Sequence, residues 1–294
     1  MYRPKLHTNM FNLPRAIFFS LMVSGLIILS LFSTFEVMAQ GNLLIMPRRV
    51  VFEGSKKSQD LTLANTGGDT ARYVVSIVQM RMNEDGSFLQ ITTPDSGQMF
   101  ADKYLRFFPR TVTLPPNQTQ VVKMQVNKSA KMAPGEYRSH VYFKSIPKEV
   151  PLGQEGLKKD SAAAVSVRMT PIFGITIPAI IRVGECSGKV ALSDPVVELF
   201  NDTIPRLQMN FTRSGNISVY GDIIVNHTAP DGRVTKVAVV KGVAIYTPNV
   251  MRKFQCNLDK TLGIDYHKGK LNILFQTPED VKATKLAEAE VILR

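Results

Sequence analysis

The 294-residue chain has no tryptophan, only two cysteines and only four histidines. His7, His140, His227 and His267 stand far apart, and none has a cysteine or aspartate at a ligand spacing, so no metal centre is expected. A phosphate-cradling glycine loop, G-x-S-x-G and H-E-x-x-H are all missing. No close pair of carboxylates can be nominated. With tryptophan absent as well, a carbohydrate-active enzyme is disfavoured. Acidic residues are in short supply: 24 against 36 basic ones give a formal charge of +12. The basic residues are scattered one per strand and not clustered with aromatics, which is the pattern of a solvated basic surface and not of a nucleic-acid groove. These absences leave a chain with no expected enzymatic activity, cofactor, metal or nucleic-acid partner.

Long hydrophobic runs are also scarce; there is one. Residues 16–35 are almost uninterruptedly apolar, follow Arg3, Lys5 and Arg15, and precede Val37 and Ala39 at the −3 and −1 positions of a signal-peptidase site. Residues 1–39 therefore read as a secretory signal cleaved before Gln40. An uncleaved N-terminal anchor is the alternative, because the run exceeds the usual length of such a segment. Cleavage would remove three positive residues and one negative, leaving +10. No stable membrane insertion is expected after cleavage.

What the chain does have is alternation. In residues 106–147, Val122, Met124 and Val126 are separated by Lys123 and Gln125. Tyr137, Val141 and Phe143 are separated by Arg138, His140 and Tyr142. A period of two puts one side of a strand in a core and the other in water. Pro115-Pro116-Asn117 and Pro134-Gly135 mark turns between these strands. Strand signals recur at 49–52, 60–65, 73–80, 112–114, 121–126, 139–146 and 164–182, with turns at Asn65-Thr66-Gly67-Gly68 and Glu84-Asp85-Gly86. Seven short strands fit an immunoglobulin-like sandwich. A second set follows: Leu207, Met209 and Phe211; a hairpin turn at Asp231-Gly232; Leu271, Ile273 and Phe275; and Ala287 to Leu293. The expected fold is all-β, with two immunoglobulin-like β-sandwich domains at residues 40–182 and 183–294, meeting at an angle.

Two features stand outside this regularity. Residues 148–163, KEVPLGQEGLKKDSAA, form a long polar connection between strong strands, which is either functional or decoration. Cys186 and Cys256 fall in one domain of an exported chain, so a disulfide is expected, stabilising by roughly 4 kcal/mol in the chain-entropy model. Two thiols held too far apart to bond are the alternative.

Three blocks carry a resemblance. Arg49-Val50-Val51-Phe52-Glu53-Gly54 leads into Leu61-Thr62-Leu63-Ala64-Asn65, Leu114-Pro115-Pro116 into residues 120–126, and Gly135-Glu136-Tyr137-Arg138-Ser139 into residues 141–147. In this order and spacing they resemble the N-terminal domain of PapD-like periplasmic pilus and fimbrial assembly chaperones. Pro178-Ala179 and Arg213-Ser214-Gly215-Asn216 with Tyr220-Gly221-Asp222 extend the similarity over nearly all of the chain after the signal. The resemblance implies a non-enzymatic chaperone in the periplasm. Its partners would be pilus or fimbrial subunits and, where one takes part, an outer-membrane usher. Such a chaperone completes a subunit lacking one strand by lending an edge strand.

Carried over residue by residue, the family's carboxylate-binding arginine falls on Arg49; a solvated strand-end charge is the plainer reading. Counting back from Pro178, the family's lysine position holds Phe173, leaving Arg168 or Arg182 as substitutes. The donor strand would be Val165, Val167 and Met169, alternating with Ser166, Arg168 and Thr170, unless those side chains complete the protein's own core. Pro171 ends regular pairing there. An exported structural or adhesive module of a surface assembly is the competing class.

Overall fold

The computed structural model describes residues 43–128, 131–147, 172–201, 203–278 and 283–293. The expected signal segment, the polar connection 148–163 and the expected donor residues Val165, Val167, Arg168 and Met169 lie outside them. The fold is all-β. Among the described residues the only helical turn is a single 3-10 turn, Asp102–Tyr104.

The first half contributes β1 (Leu43–Met46), β2 (Val50–Phe52), β3 (Ser58–Asn65), β4 (Ala71–Met82), β5 (Phe88–Ile91), β6 (Leu105–Phe108), β7 (Thr111–Leu114), β8 (Thr119–Val126), β9 (Gly135–Ile146) and β10 (Gly174–Val183). One sheet runs β1-β3-β8-β6. The facing sheet runs β2-β10-β9-β4, with β5 and β7 both pairing along β4. The alternation read from the sequence drives this arrangement: Leu61, Leu63, Val122 and Met124 from one sheet and Phe52, Val141 and Phe143 from the other are fully buried in a shared core. Each such side chain is worth roughly 1.5–3 kcal/mol of burial.

The second half contributes β11 (Gly188–Phe200), β12 (Ile204–Gly215), β13 (Val219–Thr228), β14 (Val234–Ile245), β15 (Met251–Asn257), β16 (Lys270–Gln276) and β17 (Lys285–Ile292). A three-stranded sheet, β11-β12-β15, covers a four-stranded one, β14-β13-β16-β17. Leu207, Met209 and Phe211 face Leu271, Ile273 and Phe275, and Phe211 meets Phe254 and Phe275 edge-on at 5.7 and 5.1 Å. The Asp231-Gly232 pair closes the β13–β14 hairpin. Asp231 accepts from the Arg233 amide, and Gly232 takes φ 87°, which suits a residue without a side chain.

Two expectations are corrected. Cys186 and Cys256 are both free thiols. Cys256 lies opposite Leu207 on β12, whereas Cys186 precedes Gly188, which pairs with Gly215 at the other end of that strand. Eight residues of strand separate these levels by about 26 Å at ~3.3 Å per residue, far beyond the ~7 Å reach of a disulfide. The second correction concerns β9, whose polar side is covered from Glu136 to His140 and reaches water only further on, at Lys144. Arg138 and His140 are 2 and 3% exposed. Strand β9 lies between β10 and β4, and its outer face packs on the second sandwich.

Candidate functional site

The seam between the two sandwiches is built around the outer faces of β2, β9 and β10. Register fixes which side chains meet there: Val51 lies opposite Ile180, and Ile180 opposite Arg138. Ile180 packs with Met82, Ala244 and Tyr246, with Val51 and Tyr220 at the margin. Arg49, two residues before Val51, shares its face under the period-two rule. The Arg49 guanidinium lies 4.6 Å from the centre of the Tyr220 ring and that of Arg138 lies 4.5 Å from the Tyr246 ring, both cation–π arrangements.

One pole of the seam is electrically satisfied. The Glu136 carboxylate is fully buried and accepts from the Ser218 amide at 3.1 Å, from the Ser218 hydroxyl, and from Arg182 Nε at 3.4 Å. Arg182 also pairs with Glu53 at 3.2 Å and donates to the Ser218 carbonyl. Arg213 spends its guanidinium on the carbonyls of Asn249, Gly215 and Ile217. These arginines hold the structure together.

The other pole is not satisfied. Arg49 Nε and Nη2, Arg138 Nε and Nη1 and His140 Nδ1 are buried without a hydrogen-bond partner. Arg138 has one bond, from Nη2 to the Thr247 carbonyl at 3.2 Å. Burial pushes the Arg138 guanidinium down from its ordinary value. Tyr246 and Glu136 oppose that shift, and Arg49 adds to it. Unpartnered buried donors are uncommon and costly. Guanidinium groups with donors to spare have the chemistry to hold an anionic oxygen group such as a carboxylate.

The structure sorts the sequence-derived site residues unequally. Arg49 lies at the seam, half-buried. Arg182 is there too, but its charge is already engaged by Glu53 and Glu136. Phe173 is remote: β2 meets β10 at Ala179, six residues further on, about 20 Å along the strand. The second cation is Arg138, which sequence reading assigned to a solvated face. Its one signal was company, since Glu136, Arg138 and His140 place three ionisable groups on one face of an interior strand.

The adjoining edge of β10 is only partly paired among the described residues. β10 pairs with β9 along its whole length, but on its other side β2 runs parallel to it only from Ala179 to Ile181. Among the described residues, Gly174 to Pro178 have no strand on that side.

No protein-family model and no curated protein sequence matches the chain. Solved structures resemble it. The YadV chaperone aligns over 86% of this chain and 100% of its own at 11% identity, with a TM-score of 0.41. The CupB2 chaperone of Pseudomonas aeruginosa aligns over 85 and 100% at 12% identity, TM-score 0.39. The SafB chaperone of Salmonella enterica, in a complex with the SafA pilin, belongs to a structure matched over 85 and 96% at 12% identity, TM-score 0.40.

Proposed function

We propose that this chain is a periplasmic, non-enzymatic chaperone that binds incomplete pilus or surface-fibre subunits. It lends them an edge strand and takes the subunit's terminal carboxylate between Arg49 and Arg138. The observation that carries this reading is the pair of buried guanidinium groups with unpartnered nitrogens, beside an edge of β10 that no described strand covers from Gly174 to Pro178. An edge of unpaired backbone invites strand addition. A carboxylate at the seam would fix the register of the incoming chain, which decides which of its side chains face inward.

The donor strand is the part before β10. Val165, Val167 and Met169 alternate with Ser166, Arg168 and Thr170, which gives the segment one apolar face. On this reading that face enters the partner's groove.

The test uses a pilus subunit lacking its last strand, co-expressed with this chain in the periplasm. Val167→Asp should abolish co-purification while leaving thermal unfolding of the free protein unchanged. Arg49→Ala should weaken the complex at least ten-fold and shift stability by less than about 1 kcal/mol, because the lost group is poorly bonded. A Val167→Asp protein that unfolds more easily yet still captures the subunit would assign these residues to the private core.

A further inference from the structure

Among the described residues two histidines are buried, and only one has the bonds of a structural residue. His227 is 4% exposed on β13, and its Nε2 lies 2.8 Å from the Lys268 carbonyl. His140 is as deeply buried on β9, yet its Nδ1 has no partner. The ring contacts of His140 are aromatic: Phe88 edge-on at 5.4 Å and Tyr246 at 6.3 Å between centroids. A ring that served only to fill this space would be replaced without loss by phenylalanine.

We infer that His140 is a specificity residue of the seam: it hydrogen-bonds the peptide unit next to the bound carboxylate, so that the site selects a chain terminus over other anions. This rests on the reading of the seam as a carboxylate site. His140 stands two residues from Arg138 on the same face of β9, one step along the strand from the guanidinium. Arginine can only donate, so two arginines satisfy carboxylate oxygens but offer nothing to an amide N–H. A chain terminus presents that N–H one residue's reach from its carboxylate. A neutral imidazole nitrogen accepts it. Burial and the neighbouring Arg138 hold His140 neutral, which keeps an accepting nitrogen available.

Access is compatible with this role. Phe88, on the β4–β5 hairpin, lies across the ring and is itself 43% exposed. Displacing it uncovers His140 without opening either core. The hairpin is braced from the second sandwich by Asn249 Nδ2 to the Met82 carbonyl and by the Lys253 amide to the Glu84 carbonyl. These braces fix Met82, the register partner of Phe88, and Glu84 in the turn, so uncovering His140 takes a rotation of the Phe88 side chain and not a movement of the hairpin.

Three probes separate the outcomes: an alternating Val–Ser decapeptide with a free carboxylate, the same peptide N-methylated at its last residue, and the same peptide ending in a carboxamide. Binding is read by calorimetry on the full protein and on Arg49→Ala and His140→Phe. Wild type should prefer the free acid over the N-methylated peptide on the order of ten-fold, the loss expected for one unmade bond to a buried group. His140→Phe should bind both as weakly as wild type binds the N-methylated form, with a melting temperature equal to or above wild type. Equal affinity of wild type for those two peptides, or unchanged discrimination in His140→Phe, overturns the assignment. If carboxamide and acid bind alike and Arg49→Ala has no effect, the carboxylate reading falls and the inference with it. No binding at millimolar peptide overturns both.

Discussion

His140 couples protonation to folding at the scale of a single residue. Its imidazole is pushed down from 6.5 to about 3, chiefly by burial and then by Arg138. Between those values the unfolded chain binds a proton that the folded chain refuses. The contribution of this group to stability is therefore complete above about pH 6.5 and is lost as the pH falls toward 3. The slope approaches about 1.4 kcal/mol per pH unit within that window. Arg138 and the Tyr246 ring face His140 and stay in one charge state throughout, so they do not mask the effect. Denaturant unfolding of wild type and His140→Phe between pH 7 and pH 4 should show a gap that widens in favour of the variant as the pH drops. A constant gap would mean that folded and unfolded His140 titrate alike. The two cysteines make the opposite point: Cys256, pushed up to about 11 by burial, is a packed thiol with little thiolate to react.

Strands and turns depend on local chemistry that the sequence displays openly. Asn65 ends β3, and its side chain joins two turns. Its Nδ2 donates to the carbonyls of Asp69, Leu114 and Pro115, and its Oδ1 accepts from the Gly67 amide. The Asn117 amide, in the next turn, donates to the Asn65 carbonyl, and Asn117 itself takes φ 57°, a conformation asparagine tolerates. Asn65→Ala would leave the buried Leu114 carbonyl short of a donor. We expect a loss of about 1–3 kcal/mol in chemical denaturation. A change below about 0.5 kcal/mol would show that water replaces the amide at no cost. The edge of β10 follows a different logic. Its partner β2 is only three residues long, so among the described residues half of the strand has no neighbour on that side.

The whole molecule is held at its seam by one buried carboxylate. Glu136 of the first sandwich accepts two hydrogen bonds from Ser218 of the second, while Arg182 pairs with it and donates to the Ser218 carbonyl. Removing the carboxylate would leave the Ser218 amide and one face of Arg182 unpaired in a buried place. Glu136→Ala should cost about 3–5 kcal/mol. The expected calorimetric trace changes as well, from one transition to two, because the sandwiches have separate cores and meet through a small apolar cluster around Ile180 and Tyr246 and a few hydrogen bonds. A single transition with an unchanged midpoint would show that those remaining contacts suffice to couple them.

By itself the sequence determined the inward faces of the strands it marked, but it left β1, β5, β6, β11 and β15 unmarked, since short strands carry too few residues for a period to show and β11 is interrupted by a bulge. Leu61, Leu63, Val122 and Met124, and later Leu207, Met209 and Phe211, are buried as their period of two requires, because alternation is a local property of extended backbone. Arg49 was singled out through its place in the Arg49–Gly54 block, and the structure puts it at the seam against Tyr220. Only the tertiary structure decided the rest of the site. Arg138 and His140 occupy positions that alternation assigns to water, and a period of two cannot tell a solvated face from one covered by another sandwich. The cysteines carried the same blindness: membership of one domain says nothing about which end of a strand each side chain occupies. Where two layers meet, burial is set by residues remote in sequence, and that is where the unpartnered guanidinium groups lie.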